Sequence, residues 1–419
     1  MPRSAVGVGA TLAFLLAVGP ARADDRNHAE WIATWSAAMQ APLFAPPQVV
    51  VNQTLRQIVR VSLGGRALRV RFSNVFGATP LKLGAASMAL RSEGPTVVQG
   101  SVRALRFGGA ASITIPPGAI VVSDPVSLRV SDRADLAVDA FIAEASPATT
   151  QLSTSHQTSY VSAPGDHTGE STLVDPTTIE SWYWLSGVEV ARATARSLVA
   201  FGDSITEGYG STTDANTRWP DVLASRLLAC EQKISVVNAA ISGNRVLNDE
   251  LGPNAQSRLD RDLLLQAGAA FAILLEGIND IGFSQSASFL PAGIATPDVS
   301  ADDIVAGYRQ IIRRAHGEGI EIYGGTLLPF AGADYYDAAG EAKRQAVNAW
   351  IRSSGEFDGV IDFDSVMRDP SDPSRLLPAY DSGDRLHPND AGYVAMGEAI
   401  DPSVFCGPSG AASPRAAQR

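Results

Sequence analysis

Hydrophobic and polar residues follow one rhythm in the first half of the chain and another in the second. From about residue 50 to residue 145, apolar and polar residues alternate over short runs. The runs 59–63 and 68–72 flank Gly64-Gly65, which predicts a hairpin with one buried and one solvated face. Further β-like runs lie at 112–115, 120–122, 126–130 and 136–142. Short strands at this spacing, with no helix between them, predict an all-β sandwich or jelly-roll-like domain.

From about residue 197, apolar strands alternate with helical stretches. Five strands are predicted at 198–201, 234–237, 270–275, 320–323 and 360–363. Helices are predicted at 220–228, 255–265, 301–316, 338–351 and 391–400, with Ser300 as the N-cap of the third. Short hydrophobic strands joined by helices predict an α/β fold with a five-stranded parallel sheet covered on both faces. Ligands bind such sheets at the carboxyl ends of the strands.

The first 23 residues are typical of a secretory signal peptide. Arg3 supplies a positive charge, residues 5–19 are apolar, and Ala21-Arg22-Ala23 is an A-x-A cleavage site. The alternative is a short N-terminal membrane anchor, which the length of the apolar run disfavours. No other run in the sequence is long and apolar enough to cross a membrane. We therefore expect a secreted or periplasmic protein without an integral membrane segment after cleavage.

Composition narrows the classes of function. The 419 residues include 33 Lys+Arg and 44 Asp+Glu, a net charge of −11, whereas a nucleic-acid-binding protein needs a basic surface. An apolar fraction of 45% and a charged fraction of 18% are typical of globular chains. With only 2 Cys, the chain is neither a disulfide-rich scaffold nor the carrier of a multi-cysteine zinc site.

The two cysteines are candidates for one disulfide bond. Export would place Cys230 and Cys406 in an oxidising compartment, where a disulfide persists. Cys230 ends a predicted helix, and Cys406 lies just beyond the last one. We predict a bond between them, and two buried free thiols are the alternative.

Candidate chemistry begins at the carboxyl end of the first strand of the predicted parallel sheet. Gly202-Asp203-Ser204 follows that strand, and its glycine permits a tight turn that exposes Ser204. A serine hydroxyl becomes a nucleophile when a histidine takes its proton, and the histidine needs a carboxylate that fixes its tautomer. His387 follows Asp384 in a loop that could return to the strand ends. We therefore predict catalytic roles for Ser204, Asp384 and His387, although the glycine–aspartate–serine tripeptide alone is typical of an ordinary turn.

Two more loops lie where an acyl-transfer site needs hydrogen-bond donors to the oxyanion. Residues 242–245 follow the second predicted strand, and residues 277–280 follow the third. The oxyanion of the tetrahedral intermediate is stabilised by fixed N–H groups. The backbone N–H groups of Ser204 and Gly243 and the side-chain amide of Asn279 would supply three. Arg245 either supports the Gly243 loop or contacts substrate, and the sequence leaves both readings open.

Together these blocks resemble the SGNH hydrolases, also called the GDSL esterase/lipase family. Ser204, Gly243, Asn279 and His387 match the four residues that name the family, in the family's order, and Asp384 matches its D-x-x-H carboxylate. The resemblance spans about residues 197–400. It implies a three-layer α/β/α fold, no metal or other cofactor, and ester hydrolysis by double displacement, with Ser204 as nucleophile and His387 as base.

The first half resembles the N-terminal extension of a secreted bacterial subfamily of these enzymes, through residues 31–35 and 52–60. That subfamily is often compared with xylan-associated arylesterases and acetylesterases. The β half either binds carbohydrate or packs beside the catalytic cleft and shapes its entrance, and we favour packing. Trp182, Tyr183 and Trp184 are accordingly expected at the boundary between the halves.

These observations predict a signal peptide over 1–23, a β-rich domain with a connecting segment over 24–195, an SGNH hydrolase domain over 196–407 and a disordered tail over 408–419. The predicted function is an exported serine esterase of short-chain acyl (acetyl or aryl) esters, with acylated polysaccharide as a candidate substrate and no nucleic-acid partner. A lipase or phospholipase of the same family is one alternative. An inactive polysaccharide-binding protein is the other.

Overall fold

The structure is a computed structural model that describes Met1, residues 31–284, Leu290 and residues 296–406. Apart from Met1, the predicted signal peptide lies outside the described residues, as does the predicted disordered tail. No helix among the described residues is long and apolar enough to cross a membrane.

The first half folds as two antiparallel sheets that pack face to face. Its strands are β1 (Trp31–Ser36), β2 (Val49–Val50), β3 (Gln53–Arg60), β4 (Gly65–Ser73), β5 (Leu81–Leu83), β6 (Ala85–Leu90), β7 (Arg103–Ala104), β8 (Ile113–Ile115), β9 (Ile120–Val122), β10 (Val126–Val130), β11 (Asp135–Ile142), β12 (Ser146–Pro147), β13 (Gln151–Leu152), β14 (Ser159–Pro164), β15 (Thr177–Ile179), β16 (Trp182–Tyr183) and β17 (Leu185–Ala191). One sheet has the order β1-β17-β4-β10, with β9 beside β4, and the other has the order β15-β14-β3-β11-β6-β7. Apolar side chains of both sheets, among them Val70 and Val138, form one shared core. The predicted β-sandwich is confirmed.

The hairpin predicted around Gly64-Gly65 is wrong. Strand β3 pairs with β11 and β14 in one sheet, whereas β4 pairs with β17 and β10 in the other. The chain between them crosses the sandwich because Thr34 holds it: Thr34 Oγ1 donates to Leu63 O over 2.6 Å and accepts from Leu63 N over 2.8 Å. Gly64 is needed for close approach, since a Cβ there would lie 2.1 Å from the carbonyl oxygen of Val130.

The second half alternates strand and helix around a parallel sheet. Its elements are β18 (Arg196–Gly202), α1 (Ser204–Glu207), α2 (Trp219–Leu227), β19 (Ile234–Ala240), α3 (Ala255–Leu259), β20 (Ala269–Leu275), α4 (Ile278–Phe283), α5 (Ala301–Gly317), β21 (Glu321–Gly325), α6 (Ala338–Ser353), β22 (Gly359–Ile361), α7 (Phe363–Met367), β23 (Arg368–Asp369), β24 (Asp372–Leu376) and α8 (Asp390–Ala399). A π-helical turn continues α3, and a short 3-10 turn follows α8. The sheet has the order β19-β18-β20-β21-β22, with every neighbouring pair parallel. The predicted five-stranded α/β fold is confirmed.

Local side chains set the limits of these elements. Ser300 caps α5 as predicted: Asp303 N donates to Ser300 Oγ over 3.1 Å, and Ser300 N donates to Asp303 Oδ2 over 2.9 Å. The last strand is shorter than the predicted 360–363. It ends at Ile361 because Asp362 caps the next helix, α7, by accepting a hydrogen bond from Ser365 N over 3.2 Å.

The two halves meet along β1, the first described strand. Ala33 N donates to Ala267 O over 2.8 Å, and Ala33 O accepts from Ser235 Oγ over 2.6 Å and from Ser197 Oγ over 3.1 Å. Because this strand gives its own backbone hydrogen-bonding groups to the α/β half, the halves share a bonded boundary.

A small cavity of about 40 Å³ lies on this boundary and is lined by residues of both halves, including Trp35, Trp182 and Glu207. The rings of Trp35 and Trp182 meet edge to face, with centroids 4.9 Å apart. Trp182, Tyr183 and Trp184 are all buried, and all three belong to the core of the β half. Their burial leaves them unavailable as an exposed platform for sugar rings.

A disulfide joins Cys230 to Cys406, with 5.3 Å between the Cα atoms. Cys230 lies just before β19, and Cys406 lies beyond α8. The bond therefore ties the last described residue to the amino-terminal edge of the parallel sheet, the edge opposite the carboxyl ends of its strands.

Candidate active site

Ser204 lies where strand β18 turns into helix α1. Asp203 caps this short helix, since its Oδ1 accepts from Ile205 N over 2.9 Å. Gly202 is required at the end of the strand, because a Cβ there would lie 2.3 Å from the carbonyl oxygen of Leu275. The sequence thus places the Ser204 hydroxyl at the carboxyl edge of the sheet, directly after β18, which lies between β19 and β20.

The loop before α8 brings His387 and Asp384 to Ser204. Ser204 Oγ lies 2.8 Å from His387 Nε2, and His387 Nδ1 lies 2.6 Å from Asp384 Oδ2. The other carboxylate oxygen of Asp384 accepts from the backbone N–H of His387 over 2.8 Å and from that of Leu386 over 3.0 Å. The carboxylate therefore holds both the backbone and the ring of the histidine.

The surroundings of Asp384 keep its carboxylate ionised. Burial alone would raise the pKa of Asp384, but the hydrogen bonds and the charge of His387 outweigh burial and lower this pKa below its usual range. An acceptor that stays ionised fixes the proton of His387 on Nδ1 and leaves Nε2 free to accept from Ser204 Oγ.

The three candidate oxyanion donors lie on loops at the ends of β18, β19 and β20, which are neighbours in the sheet. Among the described residues, the backbone N–H groups of Ser204 and Gly243 have no hydrogen-bond acceptor. Asn279 Nδ2 donates one hydrogen bond, to Asn244 O over 2.9 Å, and its Oδ1 accepts from Tyr335 OH over 3.3 Å. One N–H of the Asn279 amide remains for a ligand.

Gly243 has a backbone conformation that favours glycine. Its φ of 75° is in the left-handed region, and a Cβ there would lie 2.0 Å from Leu251 Cδ1. A side chain at this position would therefore displace the loop that carries the Gly243 N–H.

Arg258 is a buried residue of the site that sequence reasoning missed. Its Nε donates to Asn244 Oδ1 over 2.7 Å, its Nη1 to Ala239 O over 2.6 Å and its Nη2 to Gly202 O over 2.9 Å. The guanidinium thus joins the ends of β18 and β19 to the loop after Gly243. A lone arginine in a helical stretch is typical of a solvated face, so the sequence carried no signal for this role.

Four buried carboxyl groups, those of Asp203, Glu207, Glu276 and Asp280, lie in the strand-end segments and loops that form the candidate site. Burial raises the pKa of Asp203 and of Glu207 to about 7, and that of Asp280 to about 6. Burial, with the nearby Asp203, also raises the pKa of Glu276. These groups belong to the scaffold of the site, since the structure gives none of them a hydrogen bond to Ser204 or His387 among the described residues.

Glu207 and Asp280 each hold loops together. Glu207 Oε1 accepts from Thr154 Oγ1 over 2.7 Å, and Glu207 Oε2 accepts from Ser242 Oγ. Asp280 accepts from Val246 N over 2.7 Å and also from the next backbone N–H. Both carboxyl groups fix the loop that contains Gly243, and Glu207 links this loop to the β half.

Arg245, whose role the sequence left open, is almost fully buried. Its Nη1 donates to Glu250 Oε2 over 2.8 Å, and its guanidinium lies 5.8 Å from the centre of the Phe283 ring. Burial and the ion pair favour the supporting role over direct contact with substrate.

The rings of Tyr209 and His156 pack in a row beside His387, and the sequence did not indicate this contact. The Tyr209 ring centroid lies 4.4 Å from that of His387 and 6.3 Å from that of His156, which comes from the β half. These three residues are far apart in the chain, so no local pattern could have joined them. No group of three or more His, Cys, Asp or Glu residues that could hold a metal occurs in the part of the chain that the structure describes.

Comparison with known proteins places this half in a family. Residues 200–395 match the model of the GDSL-like Lipase/Acylhydrolase family. A comparison with curated proteins gave no match.

Several solved structures are similar to this chain over about half of its length. An acylhydrolase described as putative from Bacteroides fragilis is 21% identical, with 51% of this chain and 88% of that chain covered and a TM-score of 0.39. The aryl esterase of M. smegmatis is 19% identical, with 50% and 99% covered and a TM-score of 0.39. A catalytic mutant of an acetylxylan esterase from Geobacillus stearothermophilus is 22% identical, with 50% and 93% covered and a TM-score of 0.38.

The strand-to-helix turn at Ser204, the loop that carries His387 and the two donor loops all lie within the matched residues. Residues 200–395 are therefore a GDSL-like lipase/acylhydrolase domain, and the chain is a carboxylic ester hydrolase.

Proposed function

We propose that this protein is a serine esterase that hydrolyses short-chain acyl esters, acetyl or aryl, by double displacement. The observation that carries the proposal is the hydrogen-bonded series from Ser204 Oγ to His387 Nε2, over 2.8 Å, and from His387 Nδ1 to Asp384, over 2.6 Å. Nucleophile, base and orienting carboxylate are the three groups that acyl transfer by a serine needs.

In the first displacement, Ser204 Oγ attacks the ester carbonyl carbon while His387 Nε2 takes the hydroxyl proton. The resulting oxyanion is stabilised by the N–H groups of Ser204 and Gly243 and by the amide of Asn279. His387 then gives its proton to the oxygen of the alcohol as the carbon–oxygen bond breaks. The alcohol departs, and the acyl group stays on Ser204.

In the second displacement, water replaces the alcohol. His387 takes a proton from the water, whose oxygen attacks the acyl carbon and forms a second oxyanion in the same donor set. Collapse of this intermediate returns the proton to Ser204 Oγ and releases the carboxylic acid. Asp384 stays ionised throughout and stabilises the imidazolium that forms in each step.

The preference for short acyl groups is supported by the surface around the site. Lipases that act on long chains need exposed apolar surface near the nucleophile. Among the described residues of the α/β half, the large exposed apolar side chains are those of Tyr209, Leu265, Val360 and Val404, and of these only the Tyr209 ring contacts His387. One exposed ring suits a small ester better than a long hydrocarbon chain.

Acylated polysaccharide is the substrate that we propose to screen first. An exported esterase meets polymers outside the cell, and the signal-peptide pattern over residues 1–23 supports export to the periplasm or the medium. The disulfide between Cys230 and Cys406 suits the same oxidising location. N-terminal sequencing of the exported protein tests this part, and we expect the mature chain to begin at Asp24.

Hydrolysis of nitrophenyl acetate by the mature protein and by Ser204→Ala tests the enzyme mechanism. We expect the activity to disappear in the folded variant, because the variant lacks the hydroxyl that forms the acyl-enzyme. Equal rates in both proteins would contradict the proposal. A series of nitrophenyl esters of increasing chain length then tests the acyl preference, and peak rates at about ten carbons or more would identify a lipase or phospholipase instead.

A further inference from the structure

Tyr209 presents an exposed ring beside the candidate base. The residue is 45% exposed, although its backbone is held on both sides: Tyr209 N donates to Ser204 O over 3.0 Å, and Tyr209 O accepts from Tyr393 OH over 2.6 Å. The ring is tilted by 47° against the imidazole of His387, with 4.4 Å between centroids. An aromatic surface in a fixed position is therefore open to a ligand at the site.

The reaction places the alcohol part of the ester next to this ring. His387 Nε2 gives its proton to the alcohol oxygen, so that oxygen must come within hydrogen-bond distance of Nε2. The oxyanion donors Gly243 and Asn279 lie on the loops after β19 and β20, whereas Tyr209 follows the nucleophile helix. The Tyr209 ring contacts the imidazole that gives its proton to the alcohol, so this ring borders the space into which the alcohol must come.

The β half holds the loop that carries Tyr209. The Asp214 carboxylate accepts from Thr158 N and Thr158 Oγ1, each over 2.7 Å, and from Gln157 Nε2, while Asp214 N donates to His156 O over 3.1 Å. The His156 ring meets the Tyr209 ring edge to face, with 6.3 Å between centroids. Residues 156–158 of the β half thus fix both the loop and the ring.

The imidazole of His156 supports the ring as an uncharged group. Burial, together with the charges of Arg218 and His387, lowers the pKa of His156 to about 4. His156 is therefore neutral near neutral pH, and it adds no positive charge beside His387.

We propose that Tyr209 is a specificity-determining residue that packs against the alcohol group of the ester and favours alcohols that contain a ring, and that residues 156–158 of the β half set its position. This inference rests on the esterase function proposed above. The shared chemistry is a flat or nearly flat ring face, which either an aryl alcohol or a sugar provides. The β half would act on selectivity through the loop that it holds, without itself binding the polymer.

Acetate esters give a direct test, because all of them form the same acetyl-enzyme. The alcohol has left before deacylation, so a residue that contacts only the alcohol changes acylation and leaves deacylation unchanged. We would measure kcat/KM for phenyl acetate, an acetylated methyl xyloside and ethyl acetate, together with the deacylation rate. The variants are Tyr209→Leu and Tyr209→Phe, with Glu144→Gln, at an exposed ion pair of the β half, as the control.

For Tyr209→Leu we expect kcat/KM to fall by about tenfold on at least one ring-containing acetate and by less than about twofold on ethyl acetate. Tyr209→Phe keeps the ring and should keep the selectivity, as should Glu144→Gln. The ring acetate that loses more identifies an aryl or a sugar alcohol as the preferred group. An equal loss on all three esters, or slower deacylation, would show that Tyr209 only supports His387 and would overturn the proposal.

The role of the β half is tested with Asp214→Gly and Thr158→Val. Asp214 has a φ of 66°, which glycine adopts without strain, and Thr158→Val removes a hydroxyl from the other partner. Both should lower the preference for ring-containing alcohols in the same direction as Tyr209→Leu. Wild-type selectivity in both would overturn this part. If the wild-type protein hydrolyses none of the three acetates, the esterase proposal itself fails, and the inference with it.

Discussion

Arg258 Nε donates to Asn244 Oδ1 over 2.7 Å, and this bond holds Asn244 in place. The backbone carbonyl of Asn244 in turn accepts from Asn279 Nδ2 over 2.9 Å. A fully buried guanidinium therefore orients a candidate oxyanion donor through a single intermediate residue. Arg258 is a positioning residue, since it contacts the strand ends and the loop and makes no contact with the reacting groups.

Arg258→Lys should lower kcat with a smaller effect on KM. Lysine keeps the charge but loses the planar fork that reaches Asn244, Ala239 and Gly202 together. A displaced donor loop costs up to about 100-fold in rate. Arg309→Lys is the control, because Arg309 pairs with Glu356 in a partly exposed ion pair and shares no partner with Arg258 among the described residues. Equal kcat values for the two variants would contradict the assignment.

Asn279→Ala should remove one stabilising donor from the oxyanion. We expect kcat to fall by about 10²–10³-fold, with little change in KM, because the donor acts on charge that develops in the transition state. Tyr335→Phe removes only the hydrogen bond that orients Asn279 Oδ1 and should cost far less. A wild-type kcat for Asn279→Ala in steady-state ester hydrolysis would show that the amide is not a donor.

Asp384→Asn should abolish most activity without unfolding the protein. The amide cannot stabilise a cationic His387, and its N–H group favours the wrong tautomer, so we expect kcat to fall by about 10³–10⁴-fold. Asp381→Asn is a matched control in the same loop, where Asp381 pairs with Arg385 and does not contact His387. Circular dichroism would establish that both variants are folded. Similar rates for the two would refute the role of Asp384.

Glu207 should make the folded protein less stable as pH rises. Burial raises the pKa of Glu207 from 4.5 to about 7, so the folded state holds a proton between these values that the unfolded chain has released. Stability from this group is present below about pH 4.5 and is lost as pH rises through about 7, a difference of about 3 kcal/mol at most. Urea unfolding at pH 5 and pH 8 should show a smaller decrease for Glu207→Gln than for the wild type. The same decrease in both would mean that Glu207 is ionised throughout.

Replacing both cysteines should lower stability and leave the active site intact. The disulfide lies at the amino-terminal edge of the parallel sheet, whereas Ser204 lies at the carboxyl edge. Cys230→Ser with Cys406→Ser removes a covalent restraint that typically contributes about 2–4 kcal/mol. Calorimetry should show a lower melting temperature, and kcat on nitrophenyl acetate below that temperature should be unchanged. A large loss of kcat at full folding would contradict this separation of the two edges.

The parallel sheet was predictable because each of its strands is a short apolar run followed by a helix with its own start signal, as at Ser300. The residues proposed for catalysis are indicated by the sequence because each stands in a short motif, Ser204 directly after β18 and Asp384 with His387 in the loop before α8. The hairpin at Gly64 was not, since alternation shows which face of a strand is buried but not which strand lies beside it. Thr34, which decides that partner by holding Leu63, lies in a different part of the sequence.

Other parts of the site depend on contacts between distant segments. The sequence around Arg258 predicts a surface residue of a helix. Only the folded chain shows that its guanidinium bonds to Gly202, Ala239 and Asn244. His156 and Tyr209 meet because residues 156–158 bond to Asp214, a contact between the halves. Propensity and spacing act within a segment, so they carry no information about such pairs.

The position of β1 also determines the order in which the molecule can be assembled. Its residue Trp31 pairs with Ala191, at the end of β17, so this strand has no sheet partner until the ribosome has synthesised the whole β half. Long-range pairing of this kind is slow, because the chain must close a large loop before any contact compensates for the lost entropy. The same strand bonds through Ala33 to the half that is synthesised last. A shortened chain that lacked residues 31–36 would therefore lose an edge strand from the sandwich and a bonded neighbour from the hydrolase in a single cut.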